Sequence, residues 1–487
     1  MEFFRFLDNL LFYDTIITMI DFYLLCSLIF GVLNSTNGTL AFPPILNSFV
    51  SFSTFYIFIV FILFCFDLDV YTTKNSLLFN QSFIFLFFFF TVLTLIATSD
   101  FLRNRKINRF EYDTLFLFVI LSAVCLCFAD DFLLIYLAIE LQSFGLYVFA
   151  TFNRNSEFST ESGLKYFVFG AIISCFLLLG FAFIYLCFGT TSFENLINLS
   201  YATAEPFMFC GIIFILIAFL FKVGSAPFHT WLCDVYDGAI LSVTMLFASI
   251  PKIVIFSVVI KLFILLFYDF QDVWAPFFLF ASTLSITVGS LSAIYQKRLK
   301  RLFAYSTIAH TGFILLGIIC ATPDAVKSMT FYIIIYTSLT ILLFSLLIFA
   351  AGNVKNFPKY LSNWTASGLK NYTFIMTFTL VMFSIAGVPP LAGFFSKLLI
   401  LTSLVGENYI VTALYIVIIS SIACFYYIRL IKTFFFVKTS KNNFWISSAK
   451  RQNTEITISL LLFFNLFFVT FPQVFGSFST MVAVCLI

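Results

Sequence analysis

Long runs of apolar residues, each near the length of a bilayer-crossing helix and separated by short polar gaps, recur from one end of the chain to the other. A helix needs about 20 such residues to cross the hydrocarbon core. On that measure the pattern predicts fourteen spans, near residues 15–33, 48–66, 81–98, 113–129, 131–151, 164–188, 206–226, 241–267, 275–295, 301–321, 326–350, 373–402, 409–436 and 456–480. The fourth and fifth are nearly fused. Only Asp130 and Asp131 separate them, carboxylates that suit the N-terminus of the following helix, so thirteen spans is the alternative count. No stretch has the polarity of a soluble domain, and the expected fold class is all-α, a polytopic membrane protein.

The gaps alternate in charge. Basic residues follow odd-numbered spans: Arg103, Arg105, Lys106 and Arg109 after the third, Lys297, Arg298, Lys300 and Arg301 after the ninth, Lys355, Lys359 and Lys370 after the eleventh, and Lys438, Lys441, Lys450 and Arg451 after the thirteenth. Acidic residues mark the other side, with Asp67, Asp69, Asp130, Asp131, Glu194, Glu205, Asp269 and Asp272. By the positive-inside rule the odd loops face the matrix or cytoplasm and both termini face away from it. The regular alternation favours fourteen spans over thirteen.

Composition agrees, with 62% hydrophobic and 10% charged residues and a mean hydropathy of +1.07. The net charge of +3 is too small and too dispersed for nucleic-acid binding. The 11 cysteines are scattered along apolar spans, and the nearest pair, Cys125 and Cys127, lacks zinc or iron–sulfur spacing, so they read as small hydrophobes. The excess of Phe, 75 residues, fits the AT-biased coding of organellar genomes. The first residues, MEFFRFLDNLLFYDT, resemble neither a secretory signal nor an import leader, which predicts synthesis inside the compartment that holds the membrane, a bacterium or a mitochondrion. The sequons at Asn34 and Asn37 would then be unmodified.

Charges inside a membrane are costly and concentrate where ions or protons move. Five ionisable side chains fall well inside spans: Glu140, Lys222, Lys252, His310 and Lys397. Lys261 lies nearer the acidic side and reads as an interfacial anchor. In span five, Tyr136, Glu140, Ser143 and Tyr147 share one helical face, which predicts a hydrated seam; the other reading is a carboxylate held by a neighbouring helix for packing alone. Lys222 comes late in span seven, just before VGSAPF interrupts the helix at Gly224 and Pro227. Such breaks leave backbone groups to be satisfied and normally line cavities. A lysine snorkelling from the helix end is the alternative there. Lys252, next to Pro251, is near mid-depth of span eight. His310 stands one turn from Ser306 on a hydroxyl-bearing face, and an imidazole ordinarily titrates near neutral pH. Lys397 follows a second Pro/Gly interruption, SIAGVPPLAGFFSK, in span twelve.

Paired interruptions at corresponding positions point to an inverted-repeat transporter. Spans four to eight and nine to thirteen are the candidate repeats, and an odd number of spans per unit requires consecutive units to be inverted. The expected layout is three N-terminal helices (1–112), a first five-helix repeat (113–270), a second, inverted repeat (271–437), and a matrix-side loop with the last helix (438–487).

The segments ELQSFGLYVFA (140–150), ESGLKYFVFGA (161–171), FKVGSAPFHTWLCDVYDGA (221–239), PKI (251–253), QKRLKRLFAYSTIAHTGF (296–313) and AGVPPLAGFFSK (386–397) closely resemble the antiporter-like membrane subunits of respiratory complex I, NADH–ubiquinone oxidoreductase, and among them the subunit 2 type, subunit N in bacteria. The resemblance covers most of the chain; the stretch from Thr433 onward matches nothing specific. It implies fourteen transmembrane helices with helices seven and twelve broken. It also implies roles: Glu140 and Lys222 as the ion pair of a first half-channel, Lys252 as the connecting group, His310 in the central polar axis, and Lys397 as the terminal proton-carrying lysine. Glu161 and Lys165 match too, although their spacing is equally that of a surface i,i+4 pair. His229, Asp234 and Asp237 fall on the basic side and read as loop structure.

The resemblance further implies a proton-translocating subunit with no redox site of its own, driven by quinone reduction elsewhere. NADH, FMN, iron–sulfur clusters and ubiquinone would be bound by other subunits, and the partners would be other membrane-arm subunits and lipids, with no nucleic acid. The implied location is the mitochondrial inner membrane with both termini in the intermembrane space, or alternatively a bacterial plasma membrane. Two other readings stay open: a subunit of a multi-subunit sodium/proton antiporter, and a structural subunit whose channel is idle.

Overall fold

The computed structural model of the chain describes residues 16–29, 31, 56, 75–105, 110–153, 155–199, 206–351, 359–364, 372–435 and 452–484. The second span (48–66) apart from Tyr56, both sequons and Lys106, Arg109, Asp67, Asp69, Glu205, Lys355, Lys370, Lys438, Lys441, Lys450 and Arg451 lie outside the described residues.

The described chain is almost entirely helical. Its elements are α1 (Ile16–Ile29), α2 (Asn75–Asn104), α3 (Phe110–Phe128), α4 (Phe132–Ala150), α5 (Glu157–Phe188), the short α6 (Phe193–Leu199), α7 (Pro206–Val223), α8 (Thr230–Gly238) and α9 (Leu241–Ile260, prolonged by a π-helical turn Lys261–Leu266). They continue with α10 (Gln271–Tyr295), α11 (Leu299–Cys320), α12 (Pro323–Ala351), α13 (Tyr372–Ala386), α14 (Ala392–Gly406), α15 (Ile410–Phe435), α16 (Gln452–Thr470) and α17 (Pro472–Val484). Only helices keep every backbone group bonded within one segment, which lipid demands. Among the described residues ten helices are long and apolar enough to cross a membrane, and shorter apolar ones accompany them.

The span pattern differs from the helices where helix breakers act. Span twelve is two 15-residue helices, α13 and α14, each too short to cross alone at about 1.5 Å per residue. Span seven ends at Val223 and resumes as α8. The last span divides at Phe471, where Pro472 starts α17 in the first helical position that proline suits.

Arg103, Lys297, Arg298, Arg301 and Lys359 gather at one end of the bundle. On the basic end, Leu299 N–H donates to Lys359 O (3.0 Å) and Leu361 N–H to Lys297 O (3.0 Å), joining the loops before α11 and after α12. The Asp100 carboxylate accepts from the Asn453 N–H at the start of α16 (3.0 Å). On the acidic end, Phe132 N–H donates to Thr191 O and Phe193 N–H to Asp130 O, at 3.2 and 2.9 Å, tying the α3–α4 turn to the chain after α5. Asp131 occupies the N-cap position of α4 without a side-chain cap hydrogen bond.

Burial separates a central layer from an outer one. The apolar windows of α9, α11 and α12 are each 94% buried, against 39% for α5 and 33% for α15. Close backbone approach helps, as where a Cβ on Gly312 of α11 would stand 2.1 Å from the Ser285 hydroxyl oxygen of α10. Many hydroxyls within the central layer return to their own helix, as Thr311 Oγ1–H does to Ile308 O (2.8 Å), so they cost little in an apolar core.

Candidate proton-relay site

At the first break, Gly224 takes φ +78°, a left-handed conformation that side chains resist, and a Cβ there would come 2.3 Å from Leu232. The carbonyls that end α7 are taken locally: Leu220 O by the N–H and hydroxyl of Ser225 (3.0 Å each) and Phe221 O by Trp231 Nε1–H (3.1 Å). Lys222, in the last turn of α7, therefore caps neither of these two carbonyls. It is partly buried and lines a cavity of about 20 Å³ with Ser143, Tyr166, Trp231, Tyr236 and Lys252, room for roughly one water.

Glu140 lies outside that lining, between Ile139 and Gln142, which belong to it. Its Oε2 accepts a long contact from the Ser143 hydroxyl (3.4 Å), and its Oε1 is buried with no hydrogen-bond partner. Among the described residues it forms no ion pair with Lys222, so the pair implied by the family resemblance is open in this structure. Tyr147, on the same face, has its hydroxyl buried against Gly170.

The second break reuses the parts differently. Gly387 takes φ +86°, and a Cβ on it would lie 3.0 Å from Lys397 Nζ. Both breaks also hold a cis peptide, Ala226–Pro227 and Pro389–Pro390. Lys397 comes from α14, after the break, and reaches back to donate to Ala386 O (2.7 Å) and Ile385 O (3.3 Å), the last carbonyls of α13. A cation there also suits the negative end of that helix dipole. Lys397 and His310 open on a cavity of about 30 Å³ with Ser306, Tyr332, Tyr336 and Ser396, space for roughly two waters.

Lys252, 3% exposed, lines the first cavity from α9, next to the in-helix Pro251. Its ammonium donates to the Tyr336 hydroxyl oxygen (3.0 Å), and that hydroxyl donates to Ala248 O (3.3 Å). His310 is bracketed by two tyrosines, with Nδ1 2.7 Å from the Tyr332 hydroxyl and Nε2 3.2 Å from that of Tyr427. These three tyrosines are the site residues that sequence reasoning missed. Their signal was faint: Tyr332 and Tyr336 are one turn apart in the aliphatic run FYIIIYT, in a chain with 22 tyrosines.

Other predicted residues have structural places. Lys261 lies at the acidic end as expected but is buried, donating to Cys127 O (2.7 Å) and Ala129 O (3.3 Å) and facing Asp130 at 3.5 Å, so it caps α3. Asp234 and Asp237 belong to helix α8 and not to a loop, because the chain after Pro227 re-forms a helical turn whose outer face meets basic side chains. Asp234 pairs with Arg301 (2.5 Å) and Lys165 (3.1 Å), and Asp237 with Arg298 (2.5 Å). Asp237 holds the Arg298 guanidinium above its ordinary range, chiefly through that hydrogen bond. Lys165 also pairs with Glu161 (2.7 Å), so the predicted i,i+4 pair is one edge of a cluster around a 150 Å³ polar cavity. His229 sits at the head of α8 with Nδ1 3.2 Å from Pro227 O.

Residues 129–425, from the α3–α4 turn into α15, match the NADH:quinone oxidoreductase/Mrp antiporter transmembrane family. The chain belongs to this family. Among its relatives, NADH-ubiquinone oxidoreductase chain 2 of Marchantia polymorpha is 36% identical over 403 residues, covering 81% of each protein. The fold is shared with a chain of respiratory complex I from Thermus thermophilus with bound aureothin, at TM-score 0.77 and 22% identity over 95% of this chain and 98% of that one. It is shared equally with a chain of the Mrp complex from Dietzia sp. DQ12-45-1b, at TM-score 0.80 and 16% identity over 97% of both. Fold alone therefore does not divide the two branches of the NADH:quinone oxidoreductase/Mrp antiporter family; sequence does, and it places this chain beside chain 2.

Proposed function

We infer that this chain is the chain 2 type membrane-arm subunit of NADH:quinone oxidoreductase, respiratory complex I, and that it relays protons through Glu140, Lys222, Lys252, His310 and Lys397. The observation that carries the reading is the contact of Lys252 with Tyr336. It joins the cavity that holds Lys222 to the cavity that holds His310 and Lys397. A line of buried and partly buried basic groups beside water-sized spaces is expensive in a membrane and serves proton movement better than packing.

In this mechanism Glu140 swings between its present open position and contact with Lys222. A carboxylate close to an ammonium stabilises the charge in a low-dielectric site, and its withdrawal favours release. The proton leaves Lys222 for Lys252, passes His310 and is held at Lys397, where two carbonyls receive the ammonium. Quinone reduction in other subunits supplies the drive, and NADH, FMN, iron–sulfur clusters and ubiquinone belong to those subunits. The layout is three N-terminal helices, the repeats 113–270 and 271–437, and a terminal helix, in the mitochondrial inner membrane with both termini in the intermembrane space. The segregation of Arg103, Lys297, Arg298, Arg301 and Lys359 to one end supports that orientation.

Copurification tests the assignment. The chain is expected with NADH dehydrogenase subunits; isolation with ion-antiporter partners alone would overturn it. Replacing Lys222 or Lys397 with Met tests the relay, since an assembled mutant complex that pumps at the wild-type rate has no need of it.

A further inference from the structure

The five ionisable groups leave the crossing between the two cavities without a carrier. Lys252 faces the first cavity and His310 the second. Both side chains are held by one helix. Tyr332 and Tyr336 lie one turn apart on α12, the buried helix between α9 and α11, and each offers its hydroxyl to one of them: Tyr336 to Lys252 at 3.0 Å, Tyr332 to His310 at 2.7 Å. Tyr336 also lines the second cavity, so the Lys252–Tyr336 contact is where the first cavity's lysine meets the second cavity's wall. The His310 and Tyr336 rings are 5.6 Å apart, and the space they border is large enough for water.

We propose that Tyr336 and Tyr332 form a hydroxyl bridge that hands the proton from Lys252 to His310, joining the two halves of the chain into one path. The inference rests on the relay reading given above.

The transfer balances without any redox partner. An N–H bond of the Lys252 ammonium breaks as an O–H bond forms at Tyr336, and Tyr336 releases its original hydroxyl proton to a water in the second cavity. That water passes one of its protons to Tyr332, whose own proton goes to Nδ1 of His310. Lys252 ends neutral and His310 ends as imidazolium, with each hydroxyl and the water restored. The step requires the Nε2–H tautomer of His310, and Tyr427 is placed to accept from Nε2–H (3.2 Å). While Lys252 is charged, the Tyr336 proton points to Ala248 O. Reorientation of this single hydroxyl from that carbonyl to the cavity is the switch that opens the bridge.

Tyr336→Phe and Tyr332→Phe each remove one oxygen and keep the ring, so packing is nearly conserved. In assembled complex I reconstituted into liposomes, each is expected to lower NADH-driven proton uptake about a hundredfold, at the low end of what a positioned proton-transfer group contributes. NADH oxidation by a soluble artificial acceptor is expected to stay at the wild-type level. The residual pumping should show a larger solvent deuterium isotope effect than wild type, because proton transfer now limits it; a merely structural defect would lower the amount of working enzyme and leave that ratio unchanged. Tyr336→His, which retains a ring that donates and accepts, should recover part of the loss, and Tyr295→Phe, at an exposed tyrosine, should change nothing. Lys252→Met and His310→Gln are measured alongside. If those two stop pumping while both Phe variants pump normally, or if Tyr336→His is no better than Phe, the bridge is wrong and the relay stands. If Lys252→Met and His310→Gln also pump normally, the relay itself fails and takes the bridge with it.

Discussion

At the first helix break the lysine precedes the glycine, and Trp231 and Ser225 take the carbonyls that the broken helix leaves behind. At the second, the lysine follows the glycine by ten residues and itself takes those carbonyls. Lys222 is thus free to respond to a carboxylate that comes and goes, whereas Lys397 is held in a fixed seat by two backbone oxygens. The same parts, arranged in opposite order along the chain, make a responsive lysine in one half and an anchored one in the other. A membrane break therefore has two separable duties, satisfying its backbone and presenting a charge, and one residue serves both only at Lys397.

The contrast is broken most forcefully by removing each lysine. Lys222→Met and Lys397→Met should both lower proton translocation at least about tenfold. Only Lys397→Met should also lower the yield and thermal stability of the assembled complex, since it alone strands a buried carbonyl, Ile385 O, at about 1–3 kcal/mol, and leaves Ala386 O with only the weak Cys424 Sγ–H (3.6 Å). Equal assembly of the two variants would contradict the difference drawn between the breaks.

Gly387→Ala gives a smaller effect. The left-handed backbone costs about 1–2 kcal/mol for a side chain, and the new Cβ would press on Lys397, 3.0 Å away. Gly189, at φ +70° with nothing within 4 Å, isolates the backbone part. Gly387→Ala should therefore lower pumping and thermal stability, and Gly189→Ala thermal stability alone. Trp231→Phe, which removes the cap at the first break while keeping an aromatic ring, should cost about 1 kcal/mol in thermal denaturation and leave the charge of Lys222 in place. The smallest effect is expected from Arg298→Gln. Its partly exposed pair with Asp237, with side chains 32% and 14% exposed, is worth about 0.5 kcal/mol, visible as a loss of stability that fades as salt is raised.

The breaks and the buried charges were legible in the sequence because lipid enforces simple rules: a charge or a Gly/Pro cluster at depth is too costly to be incidental. Glu140, Lys222, Lys252, His310 and Lys397 stood out on those grounds alone. What each group touches was not legible, since it depends on how helices distant in sequence pack together. Nothing local marks Tyr336 as the partner of a lysine 84 positions earlier, or Tyr427 as the partner of a histidine 117 positions earlier. Lys261 was correctly placed near the acidic end, but the α3 carbonyls that bury it come from another helix. Asp234 and Asp237 were read as loop because the segment after Pro227 is short, yet tertiary ion pairs hold it as a helix.

A path that runs in series through Lys222 and Lys397 makes a demand that parallel or idle channels do not. In assembled complex I in liposomes, proton uptake per NADH oxidised is measured for Lys222→Met, Lys397→Met and the double variant. The account predicts the same residual value for all three, because a line blocked once is blocked. A double variant that loses the combined deficits of the two single ones would contradict it.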